Sequence, residues 1–207
     1  LTLQIVALIT VLRMAPAILL MLTSFTRILV VLGFIRSAIG LQQSPPHQVI
    51  TSLALFLTFF TMAPVCNQVY EHALTPDIQE EIPAAVAWER TIQPMRQFMF
   101  GQTRDGELSL MIRLSNNPQP VDRNDVSTMV LIPAYVLSEL KTAFQMGVVI
   151  YIPFIVIDMI VASILMSMGM MMLPPSMISM PFKILLFVMA DGWNLVIASL
   201  VTSFRLQ

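Results

Sequence analysis

A long uncharged stretch constrains this chain most: no Asp, Glu, Lys or Arg occurs between Ser37 and Tyr70. Within it, Gln48 to Val65 is a run of about 18 mostly apolar residues, the length of one helical bilayer crossing. The whole sequence agrees, because 57% of its 207 residues are hydrophobic and 11% are charged, whereas soluble domains are roughly 25% charged. The chain is therefore predicted to be a membrane protein.

Apolar sequence also precedes this span, from Leu1 to Ile35, and is expected to form one long, broken helix. The interruptions are Arg13, Pro16 and Arg27. The segment QQSPPHQ, residues 42–48, is expected to be a turn, because paired prolines disfavour helix and remove backbone donors. Residues 1–66 are thus predicted to form a first hydrophobic helical hairpin.

Charge concentrates in the middle of the chain. Between Asn67 and Val126 there are nine acidic and five basic residues, a net charge of −4. Ile82 to Met99 has the pattern of an amphipathic helix, and ELSLMIRL, residues 107–114, is predicted to be helical like its surroundings. Residues 67–128 are therefore predicted to form a polar helical domain outside the bilayer.

A second apolar region follows, in which two spans fit, roughly Ala143–Met168 and Phe182–Phe204. The connection between them contains Pro174, Pro175 and Pro181. Residues 129–207 are predicted to form a second hydrophobic hairpin. The predicted fold is all-α: a multi-pass membrane-type protein of two long kinked helical hairpins with a polar helical domain between them.

Basic residues near the hairpin turns predict the orientation. Arg36 in the first hairpin and Lys183 beside the second favour the cytoplasmic side of the membrane. The polar domain is then expected to be periplasmic.

No enzyme, cofactor or metal site is indicated by the sequence. His47 and His72 lie on opposite sides of the second span, Cys66 is the single cysteine, and neither HExxH nor GxSxG occurs. The eleven Lys and Arg residues are scattered, so no basic stripe could follow a phosphate backbone. Nucleic acid is therefore not expected as a partner.

Charges at membrane depth are candidates for function, because charge is costly in lipid and normally faces protein or water. If the tip of the second hairpin lies at Pro174 and Pro175, Asp158 and Asp191 are each about 24 Å from it. Lys183 is only about 12 Å from that tip, so a straight hairpin would pair it with neither aspartate.

Two carboxylates at one depth without a local cation must be protonated, solvated or matched by arginine. Arg13 and Arg27 are the candidates for that match. With Asp158, Lys183 and Asp191, they would either form inter-subunit salt bridges that hold an assembly or couple transport to protons or ions. Both interpretations stay open at this point.

Methionine is concentrated in MSMGMMMLPPSMISMP, residues 166–181, and Met170, Met171 and Met172 are consecutive. On a helix these three side chains would point in three directions and could not share one packing stripe. A loop that ends a helix could direct them to one point, where methionine adapts to changing shapes. Repeated around a ring, such loops would close a pore, although methionine could also replace leucine in lipid-facing positions.

Four long blocks of the sequence resemble the FliP family, the P subunits of the bacterial type III secretion export gate. The blocks are LTSFTRILVVLGFIRSAIGLQQSPPHQVI, LALFLTFFTMAPV, LIPAYVLSELKTAFQMGVVIYIPFIVIDMIVASILMSMGMMMLPP and MPFKILLFVMADGWNLV. The family also includes the SctR-like subunits of injectisomes, but SFTRILVVLGFIRSAIG and GMMMLPP are closer to the flagellar branch.

This resemblance implies a subunit made with a cleaved signal peptide, which fits a sequence that begins at Leu1. It implies a homo-oligomer, pentameric in the family, that assembles with the Q and R subunits and other membrane proteins of the export apparatus. The complex would pass unfolded flagellar substrates across the bacterial inner membrane at the flagellar basal body, with Met170, Met171 and Met172 as the pore gasket. Family helices are kinked, and prolines would supply the breaks: Pro16, Pro64, Pro133 and Pro153.

Two other functions are weighed against an export-gate subunit. A small-solute or ion transporter would use Asp158 and Asp191 as an intramembrane relay, but no inverted repeat supports it. A purely structural membrane scaffold would show no conductance after any change to the methionine segment.

Overall fold

A computed structural model describes residues 9, 13, 20–41, 45–78, 83–115, 120, 122–170 and 172–204. Within these ranges the regular structure is helical and contains no strand, which confirms the predicted all-α class. The longer helices are α1 (Phe25–Ile39), α2 (His47–Val69), α3 (Ala84–Gln102), α4 (Asp105–Leu114), α5 (Thr128–Ser167), α6 (Pro175–Met189) and α7 (Gly192–Ser203), and two short helical turns occupy Thr75–Ile78 and Arg123–Asp125.

In the described part of the chain, two helices are long and apolar enough to cross a membrane. One is α2, which a π-helical turn extends to Leu74, and the other is α5, with 40 residues. The helices α6 and α7 together form a third candidate span, bent by 62° where they meet. The predicted span Gln48–Val65 lies inside α2. Its apolar run is suited to a membrane helix, because a helix satisfies its own backbone hydrogen bonds and this one has no charge to bury.

The prolines do not interrupt these long helices. The helix α2 continues through Pro64, and α5 continues through Pro133 and Pro153, whereas Pro16 lies outside the described residues. A π-helical turn follows at Tyr70–Leu74, and α6 and α7 are bent by 62° relative to each other.

The chain packs as two compact units. The first comprises Leu1–Thr26, Thr58–Leu140 and Gln207, and the second comprises Arg27–Leu57 and Lys141–Leu206. The predicted division at 1–66, 67–128 and 129–207 follows charge along the sequence, and as a statement about membrane topology it stays a prediction.

In the first unit, the polar middle of the chain forms α3 and α4, both of which the sequence predicts. Their apolar faces pack on the start of α5, where Tyr135 is fully buried and its hydroxyl donates a 2.8 Å hydrogen bond to the carbonyl oxygen of Thr23. Arg96 donates hydrogen bonds to Thr128 and, at 2.7 Å, to the carbonyl of Val126. The buried core consists of Met99, Leu108, Val126, Val130, Leu131, Ala134 and Tyr135.

In the second unit, α1 packs closely against α5. The ring of Phe34 lies edge-on to Phe144, with 5.3 Å between centroids. It also covers Gly147, where a Cβ atom would overlap the ring. Because Gly147 has no side chain, the ring of Phe34 can pack directly on the backbone of α5, and α1 and α5 can lie close together.

Large apolar side chains remain exposed along α5 and α6. Val149 and Val188 are each 68% exposed and Met159 is 64% exposed. A soluble monomer rarely exposes so many contiguous apolar groups, so lipid or other protein subunits are expected to cover these faces.

Candidate functional site

The second hairpin turns at Gly169. This residue has a φ of 75°, its N–H donates to the carbonyl of Met166 at 3.1 Å, and the N–H of Met170 donates to Leu165 at 3.0 Å. This pair of bonds with a left-handed glycine is the Schellman arrangement that ends helices. The helix α5 thus ends at Ser167 because of Gly169, before the prolines are reached.

The prolines begin the next helix instead. Pro175 occupies the first position of α6, where a missing N–H costs nothing and the fixed φ favours helix. The expectation that the hairpin tip lies at Pro174 and Pro175 is therefore wrong, since the turn is centred a few residues earlier.

The methionines lie on this turn, outside both helices. Met170 directly follows Gly169 and is half-buried, whereas Met172 is 98% exposed. Met171 lies outside the described residues. The turn spans only the residues between Ser167 and Pro175, so a short connection held by a helix cap presents a fully exposed methionine at its tip.

Behind the turn, Lys183 and Asp158 form an ion pair. The Nζ atom of Lys183 lies 2.6 Å from Oδ2 of Asp158, and the hydroxyl of Ser179 donates to Oδ1 at 2.5 Å. The lysine side chain is 5% exposed and the aspartate side chain 34%. A buried ammonium with a short, hydrogen-bonded counter-ion ties α5 to α6.

This pairing contradicts the expectation that Lys183 meets neither aspartate. Measured from the helix ends, Asp158 lies nine residues before Ser167 and Lys183 eight residues after Pro175, or about 13 Å and about 12 Å along the axes. The two charges are therefore level. Because Lys183 is engaged within the hairpin, its position also gives no support to the predicted orientation.

Ser179 was not predicted, although the sequence carries a signal for it. Ser179 and Lys183 are four residues apart on α6 and therefore share one face of that helix. A hydroxyl one turn before a buried lysine is well placed to reach the same carboxylate.

Asp191 lies elsewhere, at the bend between α6 and α7. Its φ of 50° is in the left-handed region, and its carboxylate accepts a 3.0 Å hydrogen bond from the side chain of Asn194. The next residue, Gly192, packs so closely on Phe187 that a Cβ would overlap the ring. The exposed Asp191 therefore belongs to a bend at the positive end of α7 and lies sixteen residues, or about 24 Å, after Pro175, whereas Asp158 lies about 13 Å before the end of α5.

The two arginines differ in their surroundings. Arg27 is 1% exposed, donates a 3.1 Å hydrogen bond to the hydroxyl of Ser203 and lies 4.1 Å from the ring centroid of Phe204. Its positive charge complements the carboxyl end of α7. Arg13 is an exposed helical residue whose sequence neighbours lie outside the described part of the chain.

Among the described residues, no group of three or more His, Cys, Asp and Glu side chains is arranged to hold a metal ion. His47 is exposed, and its Nδ1 atom lies 3.1 Å from the hydroxyl of Thr51. His72 is exposed at the π-helical turn.

Comparison with known proteins identifies the family, because the FliP family model matches residues 8–200. The chain belongs to the FliP family. It is 52% identical to the flagellar biosynthetic protein FliP of Pectobacterium carotovorum subsp. carotovorum, over 99% of this chain and 79% of that protein. For FliP of Bacillus subtilis the identity is 49%, over 98% of this chain and 92% of the relative.

The relative from Caulobacter vibrioides is 51% identical over 98% of this chain and 76% of its own length. The predicted resemblance to FliP is therefore confirmed. As a FliP-family member, the chain is a component of flagellar biosynthesis and its export apparatus, and its long apolar helices indicate a membrane location.

Proposed function

We propose that this FliP-family chain is a pore-forming subunit of the flagellar type III protein export gate, which passes unfolded flagellar substrates across the inner membrane. Met170, Met171 and Met172 form the gasket that seals the closed pore. The single observation that carries the proposal is Met172, which is 98% exposed at the tip of a tightly capped helical turn. Met172 is flanked by the exposed apolar side chains of Met168, Leu173 and Met177, so this segment forms an apolar surface that another subunit can cover, and in a ring of identical subunits that cover is the same turn of the next copy.

Methionine suits a seal that must open for polypeptides of varied shape. Its unbranched thioether side chain repacks at little cost and leaves no polar atom that would hold water. A narrow ring of such side chains excludes water and ions when closed, as hydrophobic constrictions do in channels. A passing chain would displace the side chains without breaking hydrogen bonds.

The seal needs a rigid support, which the hairpin provides. The Schellman end at Gly169 fixes where α5 stops, and the Asp158–Lys183 ion pair holds α6 beside it. Soft side chains on a stiff turn can yield to a substrate and still return to one closed arrangement. In this proposal the ion pair stabilises the hairpin and does not relay protons.

The proposed assembly contains several copies of this chain, five by family resemblance, with the Q and R subunits and other export-apparatus membrane proteins. The exposed apolar faces of α5 and α6 support extensive burial against neighbours or lipid. Residues 67–128 would face the periplasm within the flagellar basal body. The proposed function uses no catalytic residue and no cofactor.

Disulfide cross-linking tests where the turn lies in the assembly. Cys66 is exposed and could form disulfides itself, so the experiment starts from the Cys66→Ser variant. The test variant adds Met172→Cys to this background. The control variant adds Met159→Cys, at an exposed position on α5. Mild oxidation of the detergent-extracted complex is expected to link neighbouring subunits through position 172 more efficiently than through position 159. The mass of the same complex and its co-purifying hydrophobic subunits are measured in parallel.

Two results would oppose the proposal. A lone monomer after gentle extraction contradicts a gate assembly. An assembled complex in which position 172 reacts with lipid-soluble thiol reagents but forms no inter-subunit disulfide contradicts a gasket at a common axis.

A further inference from the structure

The carboxylate of Asp191 has no counter-charge in the part of the chain that the structure describes. Asp191 lies at the bend between α6 and α7, which together form the third candidate span. It is the only charged residue between Lys183 and Arg205. Charge in a membrane-spanning segment is costly unless protein or water compensates it. The compensation for Asp191 must therefore be a proton, water or a cation from another molecule.

The backbone holds this carboxylate at the surface. Asp191 has a φ of 50°, and Gly192 packs on the ring of Phe187 so closely that a Cβ atom would overlap it. The ring of Trp193 lies edge-on to the same phenylalanine, with 5.3 Å between centroids. The bend is therefore fixed by close packing, and the side chain of Asp191 stays exposed beside it.

An apolar groove of about 510 Å³ continues from the bend along α7. Leu195 and Ser199 line the groove and follow Asp191 at intervals of four residues, so the three residues lie along one side of α7. The wall formed by α5 includes Val149 and Pro153. All lining residues belong to the described part of the chain, and none of them is charged. The groove suits an apolar helix, and the carboxylate at its end suits a basic side chain.

The surroundings of Asp191 favour a cation from a protein over water or lipid. Val188 and Met189 directly precede the bend and are 68% and 78% exposed, so an apolar surface borders the carboxylate. Asp191 lies sixteen residues after the start of α6 and twelve before the end of α7. Lipid headgroups lie at the ends of a span and would not reach a carboxylate at this position.

We propose that Asp191 forms an inter-subunit ion pair with a lysine or arginine on an otherwise apolar helix of a neighbouring membrane subunit. The partner helix packs along the α7 groove, and the ion pair fixes its register, as charge pairs do at other interfaces. This inference rests on the assembly in the proposed function, because the cation belongs to another subunit.

Asp191→Asn tests the charge with little change in shape, because asparagine also tolerates the left-handed conformation. Native mass spectrometry of the detergent-extracted complex measures the fraction that retains all its subunits. This fraction should fall by more than about tenfold, because the variant leaves a buried cation unpaired. Glu89→Gln removes the same charge at an exposed position on α3 and should have no effect. A complete Asp191→Asn complex would overturn this inference alone, whereas a lone monomer of the unmodified chain would also overturn the export gate.

A photoreactive benzoylphenylalanine in place of Leu195, which is 59% exposed in the groove, tests the site with Asp191 unchanged. Irradiation should link α7 to an apolar segment of a neighbouring subunit that carries a lysine or arginine. Asp191→Lys alone should lose that subunit, and reversal of the partner's cation to aspartate should restore it. Cross-links only to lipid, cross-links to a segment without a basic residue, or a double variant no better than Asp191→Lys would each overturn the inference.

Discussion

Asp158 of α5 and Lys183 of α6 lie 2.6 Å apart on the two sides of the methionine turn, and the lysine is almost fully buried. This ion pair sets the register of the hairpin, because the two residues are nearly equidistant from the ends of their helices. A turn displaced by one residue would separate the buried ammonium of Lys183 from its counter-ion, which is costly. The position of the exposed methionine therefore depends on a charge pair about two helical turns behind it.

Removal of one partner of this pair should destabilise the chain strongly. Asp158→Asn is expected to lower the free energy of unfolding by about 3–5 kcal/mol, because it leaves the buried ammonium of Lys183 without a counter-ion, whereas Lys183→Met should cost less, because water reaches the 34% exposed carboxylate of Asp158. Unfolding of the detergent-solubilised protein measures the change. Arg123→Gln is the control, because its ion pair with Asp105 is largely exposed and should contribute at most about 1 kcal/mol. Equal effects at the two pairs would contradict a structural role for the buried one.

Alanine at Gly147 should weaken the packing of α1 on α5. The new Cβ would overlap the ring of Phe34, and overpacking of this kind costs about 1–3 kcal/mol. Gly33→Ala is matched, because no atom lies within 4 Å of the Cβ it would add, and it should be neutral or stabilise helix α1. Thermal unfolding of the two variants gives the comparison. A Gly33 variant less stable than the Gly147 variant would refute the proposed contact.

Alanine at Gly169 should strain the start of the methionine turn. The left-handed conformation costs an L-residue roughly 1–2 kcal/mol, and Gly169 has a φ of 75° with open space around it. Gly106→Ala near the start of α4 is a suitable control, since a Cβ there also meets open space and should favour the helix. Unchanged stability in Gly169→Ala would mean that α5 does not end through this cap.

The hydroxyl of Tyr135 should contribute measurably to the first unit. Tyr135→Phe leaves the buried ring in place but removes the 2.8 Å hydrogen bond to the carbonyl of Thr23. The expected loss is about 1 kcal/mol in the free energy of unfolding. Tyr70→Phe, at a 61% exposed tyrosine, should have little effect. A larger loss at Tyr70 than at Tyr135 would contradict this assignment.

Much of the fold could be predicted from the pattern of charge. The uncharged run from Ser37 to Tyr70 identifies α2 because a membrane helix satisfies its own backbone and tolerates few charges. The helix ELSLMIRL was also predicted, since helical structure surrounds it.

The charged pair could not be predicted by counting residues from the prolines. Proline marks where a helix cannot continue, but α5 ends earlier, at a glycine whose left-handed conformation is a property of the folded chain. Moving the assumed tip by a few residues changes which charges lie at the same depth. Counting from the prolines places Asp191 at the depth of Asp158, whereas in the structure Lys183 lies there. Which side chains pair in this hairpin therefore depends on the residues at which α5 ends and α6 begins.

The measurement that tests the central claim most directly is ion leakage through the assembled complex in liposomes. Replacing Met170, Met171 and Met172 with alanine should leave the assembly intact and raise the leak several-fold, because the smaller side chains cannot close the constriction. Met159→Ala, at an exposed methionine on α5, should leave the leak at its original level. Unchanged leakage in an intact assembly that carries all three substitutions would contradict the gasket.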